Sequence, residues 1–101
     1  MLPEQWVLIK GRSMVLGSLT LQGIDQPWLL CKFEPTESFA KFRSLFEEEV
    51  RLSEDQSSTE LWRLSQETID NLCLKLRSIE SRKSISEFII HINGDEAWFR
   101  S

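Results

Sequence analysis

The chain has 101 residues, a net charge of −4 and 28% charged residues. This length suits one domain with one core, and we predict a single domain over residues 1–101. The basic residues are scattered, which argues against a nucleic-acid surface, and no apolar run approaches the ~18 residues of a membrane span. We therefore expect neither nucleic acid nor a membrane as a partner.

The start of the chain and the cysteines predict a cytoplasmic location. Residues 1–5 lack the basic start and long apolar stretch of a signal peptide. Cys31 and Cys73 are isolated within apolar stretches, which favours small buried thiols in a reducing compartment over the alternative, a disulfide.

The first third of the chain predicts three strands. Gly17 falls inside the second of them, which indicates a β-bulge or a close approach of another group to the backbone. We expect residues 22–27 to form a turn. The predicted strands are Gln5–Lys10, Met14–Leu21 and Trp28–Glu34.

Two helices are predicted next. Pro35 closes the third strand, Thr36 is a candidate N-cap, and apolar residues then recur at helical spacing. Ser57 and Glu60 form a candidate capping box for the second helix. The first helix has the apolar stripe Phe39, Phe42, Leu45, Phe46 and Val50, and the second has Leu61, Leu64, Thr68, Ile69 and Leu72.

The second helix has an ambiguous end. Leu72, Leu74 and Leu76 alternate with polar residues or cysteine, which favours a strand from about Leu72 to Ile79. The alternative is one helix that continues to Ile79. With residues 80–84 as a turn, the order is βββ-αα-βββ. We predict an α+β fold: a mostly antiparallel sheet of about six strands, with both helices on one face.

The last residues of the chain predict a β-hairpin. A type I′ turn at Asn93-Gly94 pairs His91 with Glu96. A loop at Gly94-Asp95 shifts the partners but keeps the faces. On either register the core face carries Phe88, Ile90, Ile92, Ala97 and Phe99, and the other face carries Glu87, Ile89, His91, Glu96, Trp98 and Arg100.

Candidate chemistry is sparse. His91 beside Glu96 and Asp95 resembles a general base or part of a metal site, but a surface cross-strand pair explains it better, since the chain has one histidine. Residues 47–49 are three glutamates on a predicted helix, which we interpret as a solvated face. No nucleophile, phosphate-loop or zinc motif is present. We assign no catalytic, cofactor or metal residue, and the sequence favours a protein that is not an enzyme.

The tryptophans carry the functional hypotheses. Trp98 lies on the hairpin face away from the core, so we expect a non-catalytic interaction or regulatory module that binds a protein or a second copy of itself. The alternative is a small-molecule-binding protein or carboxylate-based enzyme. Its cavity would lie between sheet and helices, lined by Trp28 or Trp62 beside a buried acid. The candidate interaction surface is Ile89, His91, Glu96, Trp98 and Arg100.

Three stretches carry a resemblance that spans most of the chain: residues 87–100, Pro27-Trp28, and residues 46–49. Together they resemble a group of small hypothetical bacterial proteins. The resemblance implies no activity, and it supports the change from helix to strand near Leu72.

Overall fold

The computed structural model describes residues 4–55 and 59–101. Within those ranges it is an α+β fold with one antiparallel sheet of seven strands in the order β5-β4-β1-β2-β3-β7-β6. The strands are β1 Gln5–Lys10, β2 Met14–Asp25, β3 Trp28–Pro35, β4 Leu74–Ser78, β5 Ser84–Ile85, β6 Ile89–Asn93 and β7 Glu96–Arg100. The helices are a 3-10 helix at Glu37–Lys41, α1 at Arg43–Glu54 and α2 at Thr59–Asp70. The predicted class and element order are confirmed.

The observed strands differ from the prediction chiefly at β5 and at the end of β2. The short β5 pairs with β4 and makes the seventh strand, where a turn was expected to end at Ser84. Strand β2 continues to Asp25 because a register shift between Leu21 and Gly23 lets pairing with β3 resume beyond Gln22. A bulge therefore replaces the expected turn at residues 22–25.

The change from helix to strand near Leu72 is confirmed, and the long-helix alternative is wrong. Helix α2 ends at Asp70, and β4 begins at Leu74. Cys73 lies between them with φ 54°, the left-handed conformation that often ends a helix. Cys73 is exposed, so its predicted burial is wrong. Cys31 is buried, and burial raises the pKa of its thiol to about 12.

The predicted apolar face of the first helix is confirmed. Phe39, Phe46 and Val50 are buried, and the two other predicted stripe residues are half-buried. Thr36 is the N-cap residue of the 3-10 helix, but its hydroxyl donates to the Val15 carbonyl at 2.6 Å and makes no cap hydrogen bond. The Ser57–Glu60 capping box lies outside the described residues.

The apolar stripe of α2 is rotated relative to the prediction. Leu61 is 56% exposed and Leu64 is 46% exposed, and Thr68 is also exposed. Ser65 and Ile69 are the buried positions of this helix. The inward face of α2 is therefore more polar than the spacing of its leucines indicated.

One hydrophobic core joins the sheet to the helices. Leu8, Leu19 and Phe33 contribute from the sheet, and Phe46 and Ile69 contribute from the two helices. The Trp6 and Phe99 rings pack edge to face with centroids 5.0 Å apart. Ile90, Ile92, Ala97 and Phe99 of the hairpin are buried, and Phe88 is partly buried against the core. The predicted core face of the hairpin is confirmed.

The hairpin register follows the Gly94-Asp95 loop. Asn93 pairs with Glu96, and His91 pairs with Trp98. Gly94 has φ 64° at the first loop position, where a type II′ turn requires glycine. The Asn93-Gly94 loop, with His91 opposite Glu96, is therefore wrong, although the faces are unchanged.

Gly17 is a point of close approach, as its position in β2 indicated. The pairing of β1 with β2 shifts register beside it, since Leu8 pairs with Gly17 and Ile9 pairs with Val15. A Cβ atom at Gly17 would lie 2.5 Å from Phe33 Cε1 and 2.8 Å from the Glu34 carbonyl oxygen. Both the predicted bulge and the predicted close approach are present.

We expect Gly17→Ala to lower the free energy of unfolding by about 1–3 kcal/mol, because the added methyl displaces a buried ring in a close-packed core. Gly23→Ala is the matched control in the same strand, since its Cβ would meet only Leu30 Cδ1 at 3.9 Å. Urea unfolding of both variants measures the difference. Equal midpoints for the two variants would contradict the close approach.

Candidate functional site

A buried carboxylate lies at the junction of the two helices and the sheet. Glu49 of α1 is 0% exposed. Its Oε2 accepts hydrogen bonds from Trp62 Nε1 at 2.7 Å and Gln66 Nε2 at 2.9 Å, both on α2. Its Oε1 lies 2.7 Å from Nδ1 of His91 on β6. Three donors thus surround one carboxylate, as a buried charge requires.

These contacts determine the tautomer of His91. Indole and amide N–H groups can only donate, so Oε2 of Glu49 carries no proton and accepts both hydrogen bonds. Imidazole is more basic than carboxylate, so we assign the shared proton to Nδ1 of His91, which donates to Oε1. In the neutral ring, Nε2 of His91 then carries a lone pair.

His91 is 8% exposed, so its interpretation as a surface residue is wrong. Its ring lies against two indoles, with centroids 5.2 Å from Trp28 and 5.4 Å from Trp98. All buried side-chain nitrogens and oxygens of the described residues have a hydrogen-bond partner. Nε2 of His91 has none within residues 4–55 and 59–101, so this atom keeps contact with solvent.

An open cavity of about 280 Å³ lies beside His91, between the end of α1 and the start of α2. We call it the His91 cavity. Leu52, Ser53 and Asp55 line it from α1 and its C-cap, and Thr59 and Trp62 line it from α2. Its volume is just below the ~300 Å³ at which drug-sized pockets begin, so it suits a molecule smaller than a typical drug.

A carboxylate that orients an imidazole, with the second ring nitrogen open, can act as a base, a hydrogen-bond acceptor or a metal ligand. Ser53 does not complete a nucleophilic triad, because its hydroxyl donates to the Val50 carbonyl at 2.7 Å. The described part of the chain holds no group of three or more His, Cys, Asp or Glu side chains placed for a metal ion. The geometry therefore favours hydrogen bonding to a ligand.

The remaining residues of the predicted interaction surface lie in different environments near this site. Ile89 is 44% exposed, and Glu96 is exposed opposite Asn93. Trp98 is half-buried against His91. The Arg100 guanidinium is 6.0 Å from the centroid of the Trp28 ring.

The glutamate run divides into different environments. Glu47 and Glu48 are on the solvated face that we predicted, and a hydrogen bond from Arg51 lowers the pKa of Glu48. The prediction that Glu49 is solvated is wrong, because its side chain is buried. The signal for its burial was its position three residues after Phe46 and just before Val50, within the apolar stripe of the helix.

Among the described residues, no helix is long and apolar enough to cross a membrane. Comparison with protein-family models, curated proteins and solved structures gives no significant match. The resemblance to small bacterial proteins therefore stays a prediction.

We expect Glu49→Ala to lower the free energy of unfolding by about 3–5 kcal/mol, because it leaves the donors on Trp62, Gln66 and His91 without their acceptor. Glu48→Ala, the adjacent and exposed residue, is the control and should leave the urea midpoint unchanged within error. Chemical denaturation followed by tryptophan fluorescence measures both. Equal loss in the two variants would show that the buried carboxylate contributes no more to stability than its exposed neighbour.

Proposed function

We propose that this protein is a non-catalytic binding protein for a small molecule, which it holds in the His91 cavity. The supporting observation is the open Nε2 of a histidine that is otherwise nine-tenths buried. Nε2 is in contact with solvent and takes no hydrogen bond from another described residue, so it can accept one from a ligand.

The surroundings of His91 support a binding role. Glu49 and the two flanking indoles hold the ring in one orientation, so little order is lost when a ligand binds. Trp62 contributes an aromatic wall to the cavity, and its Nε1 is committed to Glu49. These features match the alternative hypothesis from the sequence, a cavity lined by Trp62 next to a buried acid.

The test is a two-dimensional NMR titration that follows the indole N–H of Trp62. We expect at least some members of a panel of cationic, neutral and anionic molecules of four to ten heavy atoms to shift this signal in a saturable way. A panel that leaves the Trp62 signal in place would overturn the proposal.

A pair of serine variants on α1 provides the control. Ser53→Phe places a ring in the His91 cavity and should abolish the shifts. Ser44→Phe adds the same ring at an exposed position outside the cavity and should preserve them. Shifts that survive Ser53→Phe would place the binding elsewhere.

A second candidate function is interaction with a protein or with a second copy of the chain through the sheet face opposite the core, which carries Ile89 and Trp98. The observation that favours it is a set of exposed apolar groups on that face. Leu30 is 38% exposed directly opposite Trp98, and Ile89 is 44% exposed. Such patches often mark contact surfaces.

For this second candidate we expect the purified chain to sediment as a dimer and Ile89→Glu to sediment as a monomer. A charge at the contact would be desolvated without a partner. Leu61→Glu, on the outer side of α2, is the control for an added charge on an exposed leucine. A wild-type monomer at all concentrations would remove the self-association form of the hypothesis.

We propose that the protein is located in the cytoplasm. Both cysteines are unpaired, and Cys73 is exposed. An exposed thiol that stays free is typical of a reducing compartment.

A further inference from the structure

Three polar groups in the lining of the His91 cavity accept hydrogen bonds. Nε2 of His91 carries a lone pair in the tautomer that Glu49 selects. The hydroxyl hydrogen of Ser53 is already donated to the Val50 carbonyl, so its oxygen can only accept. Asp55 adds a carboxylate to the lining. A ligand that suits these groups must bring the hydrogens.

The local charge is negative while His91 is neutral. Glu49 lies directly behind the ring, Asp55 lines the cavity, and no Lys or Arg among the described residues lines it. The pKa of the Arg51 guanidinium is raised mainly by its hydrogen bond with Glu48. The nearby charge of Asp55 adds a smaller part of the shift. Nη2 of Arg51 lies 2.5 Å from Oε1 of Glu48.

Trp62 adds an attraction for cations. An indole is the best aromatic partner for a cation, and this attraction grows when the site is partly desolvated. Anionic ligands, by contrast, would meet the carboxylates of Asp55 and Glu49 with no basic side chain in the described lining. The electrostatic potential at the cavity therefore favours a cationic ligand over an anionic one.

From this arrangement we propose that the ligand of the His91 cavity is a small organic ammonium ion, a protonated amine with N–H groups. This inference rests on the binding function proposed above. The ammonium donates to Nε2 of His91, lies beside the Trp62 indole and faces the Asp55 carboxylate, and its short apolar chain contacts Leu52. The volume of about 280 Å³ suits a ligand smaller than a drug-sized molecule.

Three probes of nearly equal size and different charge test the ligand class: n-butylammonium, 1-butanol and butyrate. Each is titrated at constant ionic strength into the 101-residue chain, and the Trp62 indole N–H is followed by NMR. We expect n-butylammonium to bind at least tenfold more tightly than the other two. N,N,N-trimethylbutylammonium, which keeps the charge but has no N–H, should bind more weakly than n-butylammonium.

Adjacent carboxylates provide matched variants. Asp55→Asn removes a charge from the cavity lining and should weaken n-butylammonium binding at least fivefold. Glu54→Gln removes the same charge from the neighbouring exposed residue and should change the affinity less than twofold. The three-probe comparison on the wild-type protein stands even if a variant folds poorly.

The outcomes separate the ligand class from the function. If 1-butanol or butyrate binds as tightly as n-butylammonium, and Ser53→Phe abolishes that binding, the ammonium class is wrong and the binding function stands. Equal effects of Asp55→Asn and Glu54→Gln would also overturn the ammonium proposal. If neither these probes nor the wider panel moves the Trp62 signal, both proposals are wrong.

Discussion

The buried carboxylate of Glu49 is the constraint that organises the helical side of this molecule. Removing a carboxylate from water costs several kcal/mol unless its oxygens are fully hydrogen-bonded. Glu49 meets that requirement with donors from two other elements, Trp62 and Gln66 on α2 and His91 on β6. One side chain thus ties both helices to the edge strand of the sheet.

The rotation of α2 is consistent with this constraint. Trp62 and Gln66 are four residues apart and share one side of the helix, so both reach Glu49 only when that side faces α1. Leu61 and Leu64 then point outward and are exposed. Pairing the buried carboxylate on that side of α2 leaves the two leucines at the surface, where single exposed apolar side chains are common.

The hairpin supplies the other half of the site. Because the loop is Gly94-Asp95, His91 lies opposite Trp98 and forms part of an aromatic cluster with Trp28. Its side chain points away from Ile90 and Ile92, yet it is buried, since Glu49 reaches it from α1. Three of the four tryptophans therefore contact the Glu49–His91 pair, Trp28 and Trp98 through the imidazole and Trp62 through the carboxylate. A residue on the sheet face opposite the core can thus still be enclosed.

Local patterns in the sequence determined the strands, the helices, the change to strand near Leu72 and the core face of the hairpin. Each depends on side-chain periodicity or on a turn within a few residues. Only the tertiary structure decided that Glu49 meets His91, because the two are 42 residues apart in sequence and no local pattern encodes that contact. It also decided the rotation of α2 and the exposure of Cys73. These depend on which distant donors and apolar surfaces come together when the helices close on the sheet.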